Sequence, residues 1–313
     1  MNKLVTILVF LTHISFVSFC QQIEKENFRL FFLGGQSNME GHGLNAELPD
    51  SLLATSEDIW IFHGNPAPDE DTNGGSGKWS ILKPGNGAGF SSDGIDNHFS
   101  QKFGPELSFA KRLQELYPND KIALIKYARG GSSIDSVIAR EYGSWEIDYK
   151  GKTGINQFDH FLTTLRVALT SADIDSNGVE DVFIPQGIIW MQGESDALHE
   201  QAAHRYYDNL KRLMDLIRTS LRVDDLPVVI GKISDSYNEV EGKVWKYGEL
   251  VQYAQEKYTA TDVKAAIVRS TMYYSYSDPY HYDSKGYIDL GIKFADAVYQ
   301  LNTNPQQTPS SNQ

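Results

Sequence analysis

Four short polar clusters stand where a side chain could do chemistry. The first is Gly34-Gly35-Gln36-Ser37-Asn38-Met39-Glu40-Gly41, in which glycines permit a tight turn that presents a serine hydroxyl and a neighbouring backbone N–H. It is neither a G-x-S-x-G elbow nor a phosphate loop, because Ser37 lacks the flanking glycine pair and no Lys-Ser/Thr follows. In the second, Tyr127-Ala128-Arg129-Gly130-Gly131-Ser132-Ser133, two glycines let backbone N–H groups approach a ligand oxygen. The third, Trp190-Met191-Gln192-Gly193-Glu194-Ser195-Asp196, offers a side-chain amide donor in Gln192 and a carboxylate in Glu194. The fourth is Ser277-Asp278-Pro279-Tyr280-His281-Tyr282-Asp283-Ser284. Across a tight loop its D-x-x-H spacing lets the Asp278 carboxylate reach the imidazole Nδ1–H, leaving Nε2 to take a proton from a serine. Each cluster also has a plainer account as a packing turn, a helix cap or an Asx turn.

The elements that must position these clusters alternate in type. Strands are expected at Arg29 to Leu33, Asp58 to Phe62, Ile122 to Tyr127, Val182 to Trp190, Pro227 to Ile233 and Val263 to Val268, nearly continuous in apolar residues as parallel strands buried on both faces are. Helical periodicity puts Phe109, Leu113 and Leu116 on one face after Pro105; Tyr206, Leu210, Met214 and Ile217 on another; and Tyr287, Leu290, Phe294, Val298 and Leu301 on a third. Repeated strand, helix, strand implies a doubly wound parallel sheet, with ligands beyond the carboxyl ends of the strands, where three of the clusters fall. Gly64 to Gly104 breaks the rhythm, with nine glycines in 41 residues. Its Trp79, Phe90, His98 and Phe99 are either a wall over a substrate or part of a surface excursion.

Taken in order, G-Q-S-N-M-x-G, a Gly-Gly-Ser loop, W-x-Q-G-E-S-D and a C-terminal D-x-x-H resemble the SGNH/GDSL-type hydrolases, and within them the carbohydrate esterase family 6 and sialate O-acetylesterase-like group. The likeness runs from Phe32 to the last helix. It implies a three-layer α/β/α sandwich around a central parallel sheet, flavodoxin-like, and hydrolysis of ester-linked acetyl groups on sugars with no metal or cofactor. Ser37 matches the family nucleophile, His281 the base and Asp278 the orienting acid, with Glu194 a second candidate for that last role. The oxyanion donors implied are the Ser37 N–H, the Gly131 N–H and the Gln192 side chain. Trp145, Tyr280 and Tyr282 are then expected on the rim, stacking on pyranose faces.

Composition narrows the partners. Twenty-eight basic against forty-one acidic residues give a net charge of −13, which argues against nucleic acid or an anionic membrane surface as a partner. The partner that the resemblance implies is an acetylated oligo- or polysaccharide. A lone Cys20 cannot form an internal disulfide or a thiolate zinc site. Residues 1–20 have the layout of a signal peptide, with Ser18 and Cys20 at −3 and −1, so a secreted or periplasmic domain over 21–301 is expected, and a polar disordered tail over 302–313. Lipid anchoring through Cys20 is the lesser alternative, since Phe19 fits a lipoprotein box poorly. Two other functions fit less well: an esterase for another acyl group such as a lipid, and a sugar-binding module without catalysis. Finally, Asp173-Ile174-Asp175-Ser176-Asn177-Gly178 matches the start of a calcium loop, but its twelfth position is Ile184 instead of Glu, so a polar turn is the simpler reading.

Overall fold

The computed structural model describes residues 25–69, 71–150, 155–171, 173–240 and 242–304. The leader with Cys20, and the tail beyond 304, lie outside them. Seven strands form one sheet: β1 (Glu26–Gly35), β2 (Ile59–His63), β3 (Trp79–Ile81), β4 (Lys121–Ala128), β5 (Asp181–Met191), β6 (Val228–Gly231) and β7 (Ala265–Val268). Their spatial order is β7-β6-β5-β1-β4-β2-β3. All neighbours run parallel except β3, which pairs antiparallel with β2 at the edge. That strand was not expected, because three residues inside a glycine-rich stretch carry no readable period.

Five longer helices cover the sheet: α1 (Glu106–Leu116), α2 (Gln157–Thr170), α3 (Glu200–Leu221), α4 (Gly248–Thr261) and α5 (Ser284–Thr303). Side chains alternate across a strand, so adjacent residues of β1 meet different layers. Phe31 makes an edge contact with Phe109 of α1 at 5.5 Å, while Phe32 packs on Phe161 of α2 at 4.7 Å. An Arg112–Asp296 ion pair at 2.8 Å ties α1 to α5. The result is the expected three-layer α/β/α sandwich. Asn302 and Thr303, expected in the tail, instead finish α5: the Asn302 side chain donates to the Gln186 carbonyl at 3.0 Å and Thr303 Oγ1 to that of Tyr299 at 2.8 Å.

Sheet order reverses at β1, whose neighbours β4 and β5 connect outward in opposite directions, which opens a crevice at their carboxyl ends. There Gly35 lies opposite both Ala128 and Met191, so the segments after the three strands converge. Gly35 has φ +145°, and a Cβ on it would fall 2.0 Å from the Met191 carbonyl oxygen; only glycine permits that approach.

Near the same end, the Lys126 side chain of β4 is fully buried and donates to the carbonyls of Glu40 (2.9 Å) and Asn86 (2.7 Å) and to Glu106 Oε2 (2.8 Å). The Gly64 to Gly104 stretch is thereby packed against the sheet. Phe90 stacks on His63 at 4.0 Å and Trp79 on Phe183 at 5.4 Å, so these aromatics serve the core; His98 is exposed. Removing one partner of a buried ion pair strands the other. Lys126→Met is therefore expected to lower stability by about 3–5 kcal/mol, and the double change with Glu106→Gln to recover part of that loss. Urea unfolding of the three proteins checks this, and a single variant as stable as the wild type refutes it.

Candidate active site

Beyond Gly35 the chain turns at once. The Gln36 N–H donates to the Met191 carbonyl at 2.9 Å, and the Met39 and Glu40 N–H groups fold back on the Gln36 carbonyl at 2.9 and 2.8 Å. The turn sets Ser37, 7% exposed, on the wall of a cleft of about 860 Å³. His42, Arg129, Gly131, Tyr142, Trp245, Tyr280 and His281 share that wall.

His281 comes from the loop before α5. Asp278 Oδ1 accepts the N–H groups of Tyr280 and His281, both at 2.8 Å, and its Oδ2 takes the ring Nδ1–H of His281 at 2.7 Å. This fixes the tautomer and leaves Nε2 as a base. Partial burial pushes the Asp278 carboxyl up, but the His281 bond and the two N–H donors outweigh it and hold it below the usual carboxylate range. Sequence reasoning missed His42, whose ring lies flat on that of His281 at 3.6 Å with planes 5° apart. Lys102 Nζ donates to His42 Nδ1 at 3.2 Å. Burial, then His281 and Lys102, lower the His42 pKa to about 3, so it is a neutral plate at any working pH.

Glu194, the second candidate for orienting the base, does something else. Its Oε1 accepts from Asn38 Nδ2 at 2.8 Å, and the same amide donates to the Tyr280 carbonyl at 3.2 Å. Asn38 Oδ1 in turn accepts the Tyr287 hydroxyl at 2.8 Å. Glu194 thus anchors Asn38, which stitches the serine turn to the histidine loop.

Among the described residues, neither the Ser37 N–H nor the Gly131 N–H has a protein acceptor. The Gly130 N–H is taken by Glu40 Oε2 at 2.8 Å. Gly131 has φ +74°, and a Cβ there would meet the Tyr142 ring at 2.5 Å, so only glycine carries this N–H into the cleft. Gln192 is not placed as expected. It is fully buried, its Nε2 committed to Asp196 Oδ2 at 2.7 Å, the Ser132 carbonyl at 3.2 Å and Gln36 Oε1 at 3.3 Å. Gln36 lines the cleft instead. Its Oε1 also accepts the Gly193 and Ser195 N–H groups, which leaves Nε2 as the end of the amide available to a ligand. The signal was present in the sequence, since Gln36 precedes the serine and carries the same amide chemistry.

The rim also differs. Trp145 is buried, edge-on to Trp190 at 5.0 Å, and Tyr282 is buried with its hydroxyl 3.1 Å from Ser234 Oγ; the W-x-Q and D-x-x-H-Y aromatics are core residues. Tyr280, 43% exposed, does stand on the cleft, 5.8 Å from Trp245. Trp245 comes from an irregular segment with no local sequence signal, and Ala88 is what Gly64 to Gly104 contributes to the wall.

The chain matches, over residues 27–300, the family described as carbohydrate esterase, sialic acid-specific acetylesterase. It belongs to that family. Solved structures that it resembles include a protein of Arabidopsis thaliana (19% identity, 88% of this chain and 98% of that one, TM-score 0.59) and a carbohydrate acetylesterase from Xanthomonas citri (18% identity, 88% and 56%, TM-score 0.57). A third is NanS (14% identity, 89% and 98%, TM-score 0.54). At these identities they establish the shared fold. No curated protein matches the chain by sequence. The protein is accordingly a carboxylic ester hydrolase, and its family supports O-acetyl ester cleavage on carbohydrates.

In this esterase two buried carboxyls stand below the site. Burial raises Glu194 to about 7 and Asp196 to about 6. A carboxyl raised in the folded state keeps its proton after the unfolded chain has lost it, so these two groups contribute stability that falls as pH rises from the ordinary carboxylate range towards 7. Between pH 6 and 7 Glu194 is the larger of the two, and it opposes His42, His63 and His160, whose lowered pKa values make stability rise with pH there. Glu194→Gln is therefore expected to make stability rise more steeply with pH in that window, read by urea unfolding at each pH, while keeping most of the activity. Asp278→Asn is expected to lower kcat by roughly 10⁴, since the amide favours the wrong imidazole tautomer. The reverse ranking of the two variants in activity would assign the orienting role to Glu194.

Proposed function

We propose that this protein is an exported serine esterase that removes acetyl groups from carbohydrate hydroxyls through an acetyl-Ser37 intermediate. The observation that carries the reading is the Asp278–His281 pair, its tautomer fixed at 2.7 Å, on the wall of the cleft that Ser37 and two unpaired N–H groups also line. A serine hydroxyl is a poor nucleophile until a base takes its proton. His281 Nε2 takes it as Ser37 Oγ attacks the acetyl carbonyl carbon. The carbonyl oxygen becomes an oxyanion among the Ser37 and Gly131 N–H groups and Gln36 Nε2; one such donor lowers the barrier by about 3–4 kcal/mol. On collapse the bond to the sugar oxygen breaks, and the imidazolium returns its proton to that oxygen. Water, deprotonated by the same nitrogen, then attacks acetyl-Ser37 and releases acetate. Export is supported by the leader pattern of residues 1–20. Among the described residues no helix is long and apolar enough to cross a membrane.

One observation favours an acidic sugar over neutral xylan. In a chain of net charge −13, the cleft is lined by Arg129, Arg140, Lys243 and Lys246 against only Glu40 and Glu239. Burial further pushes the Glu40 carboxyl up, towards its neutral form. The family's sialic acid specificity agrees with that balance.

Incubating the mature domain and its Ser37→Ala variant with O-acetylated sialic acid, acetylated xylan and a long-chain acyl ester, and measuring released acid, tests both statements. The expected result is acetate from the first substrate above the second, little acid from the third, and activity lost by at least roughly 10³-fold in the variant. Release by the variant removes Ser37 from its role. No acetate from any substrate leaves a sugar-binding module, and preference for the long chain a different acyl ester.

A further inference from the structure

At the opposite end of the sheet from Ser37, four carboxylates from two segments meet. Asp173, Asp175 and Asp181 come from the turn into β5 and Glu26 from the start of β1, where Glu26 lies opposite Asp181 in the strand register. Carboxylate oxygens of Glu26, Asp175 and Asp181 all lie within 4.8 Å of one another. Lys121 pairs with Glu26 and, at 2.7 Å, with Asp175 Oδ2. Asn177 Nδ2 aims at the same two oxygens from 3.1 and 3.2 Å. Positive charge is thus drawn to one point, and one ammonium serves only two of the carboxylates.

Asp181 is the unsolved part. It is 7% exposed; its Oδ2 accepts the Ile174 N–H at 2.6 Å, while Oδ1 is sealed from solvent with no donor. Its carboxylate faces those of Glu26 and Asp175. A buried carboxylate oxygen without a partner is unfavourable unless a proton or a cation supplies one. The turn has the backbone of a calcium loop. Asp173 accepts the N–H groups of Asn177 and Gly178, Asn177 Oδ1 accepts that of Val179, and Gly178, at the sixth position, has φ +84°.

We propose that this corner is a structural calcium site, with Asp173, Asp175, the Val179 carbonyl and Asp181 at positions one, three, seven and nine of the loop, Glu26 of β1 in place of the missing twelfth-position carboxylate, and the Asn177 amide at position five turning over to present its oxygen as the ion replaces the Lys121 ammonium. Ile184 makes a polar turn the simpler reading of the sequence alone; the parallel pairing of β1 with β5 brings the substitute from far along the chain. Six oxygen donors with no imidazole or thiolate suit calcium, and a cage made only of protein groups suits it better than magnesium. The partly exposed Lys121 swings to solvent on its flexible stem as the ion enters. The ion staples the amino ends of the two central strands and takes no part in ester cleavage, so the site stands independently of the proposed function.

Thermal unfolding of the full mature chain, stripped with chelator and then given millimolar calcium chloride or magnesium chloride, tests the site. Calcium is expected to raise Tm by roughly 5 °C, and magnesium to do much less. Asp173→Asn and Asp181→Asn are each expected to abolish the rise, and Lys121→Gln to bind calcium roughly tenfold tighter by titration calorimetry, because the competing ammonium is gone. No rise with calcium, a rise that survives both aspartate substitutions, or an equal rise with magnesium overturns the proposal. The Lys121→Gln titration decides the matter should either aspartate variant fail to fold.

Discussion

The Lys126 ammonium holds three separate parts of the chain in one place: the end of the serine turn through the Glu40 carbonyl, the glycine-rich stretch through the Asn86 carbonyl, and the start of α1 through Glu106. A charge sealed from water must find every partner inside the protein, so each of these segments is fixed by the same requirement. The glycine-rich stretch carries backbone bonds of its own, such as Gly75 N–H to Asn65 and Ser100 N–H to Gly85, and Lys126 fastens it to the sheet. Without that anchor the serine turn would still leave β1 at Gly35, and the wall beside it would keep only bonds such as that from the Ala88 N–H to the Gly41 carbonyl.

Beneath the cleft a second polar layer settles the orientation of Gln36, which lines it, and of Asn38 behind it. Asp196 and Tyr206 fix both ends of the Gln192 amide, Gln192 with two backbone N–H groups fixes Gln36, and Glu194 fixes Asn38. In such chains one buried residue decides which way the next points, and satisfied buried donors rigidify the site above them. The motif W-x-Q-G-E-S-D is therefore mostly foundation. Its residues act through Gln36 and Asn38 of the first motif.

This division explains which parts of the molecule were legible in the sequence. The core strands were, because residues such as Ile122 to Ile125 are apolar on both faces and sit in a sheet covered on both sides. So was the Asp278–His281 pair, whose contact is local. Gln192 and Gln36 present the same amide, and which one faces outward depends on long-range pairing that no local pattern encodes. Trp145 and Tyr282 were misplaced for a related reason: an aromatic in a polar loop belongs as readily to the packing under the loop as to its surface. The helices Gln157–Thr170 and Gly248–Thr261 were not singled out, the second having Gly, Gln, Thr and Tyr where a sharper apolar stripe would announce it.

The placement of Asp278 and His281 on one short turn, with Ser37 on another element, divides the proposed catalytic constellation into two bodies. The imidazole–carboxylate separation is internal to one body and is insensitive to how the loop rides on the sheet. The separation of imidazole from hydroxyl is the single coordinate that loop displacement changes, and Asn38, bonded to both bodies, is the tether that limits it. Small excursions of the histidine loop would thus change the imidazole–hydroxyl separation and leave the imidazole–carboxylate contact as it is.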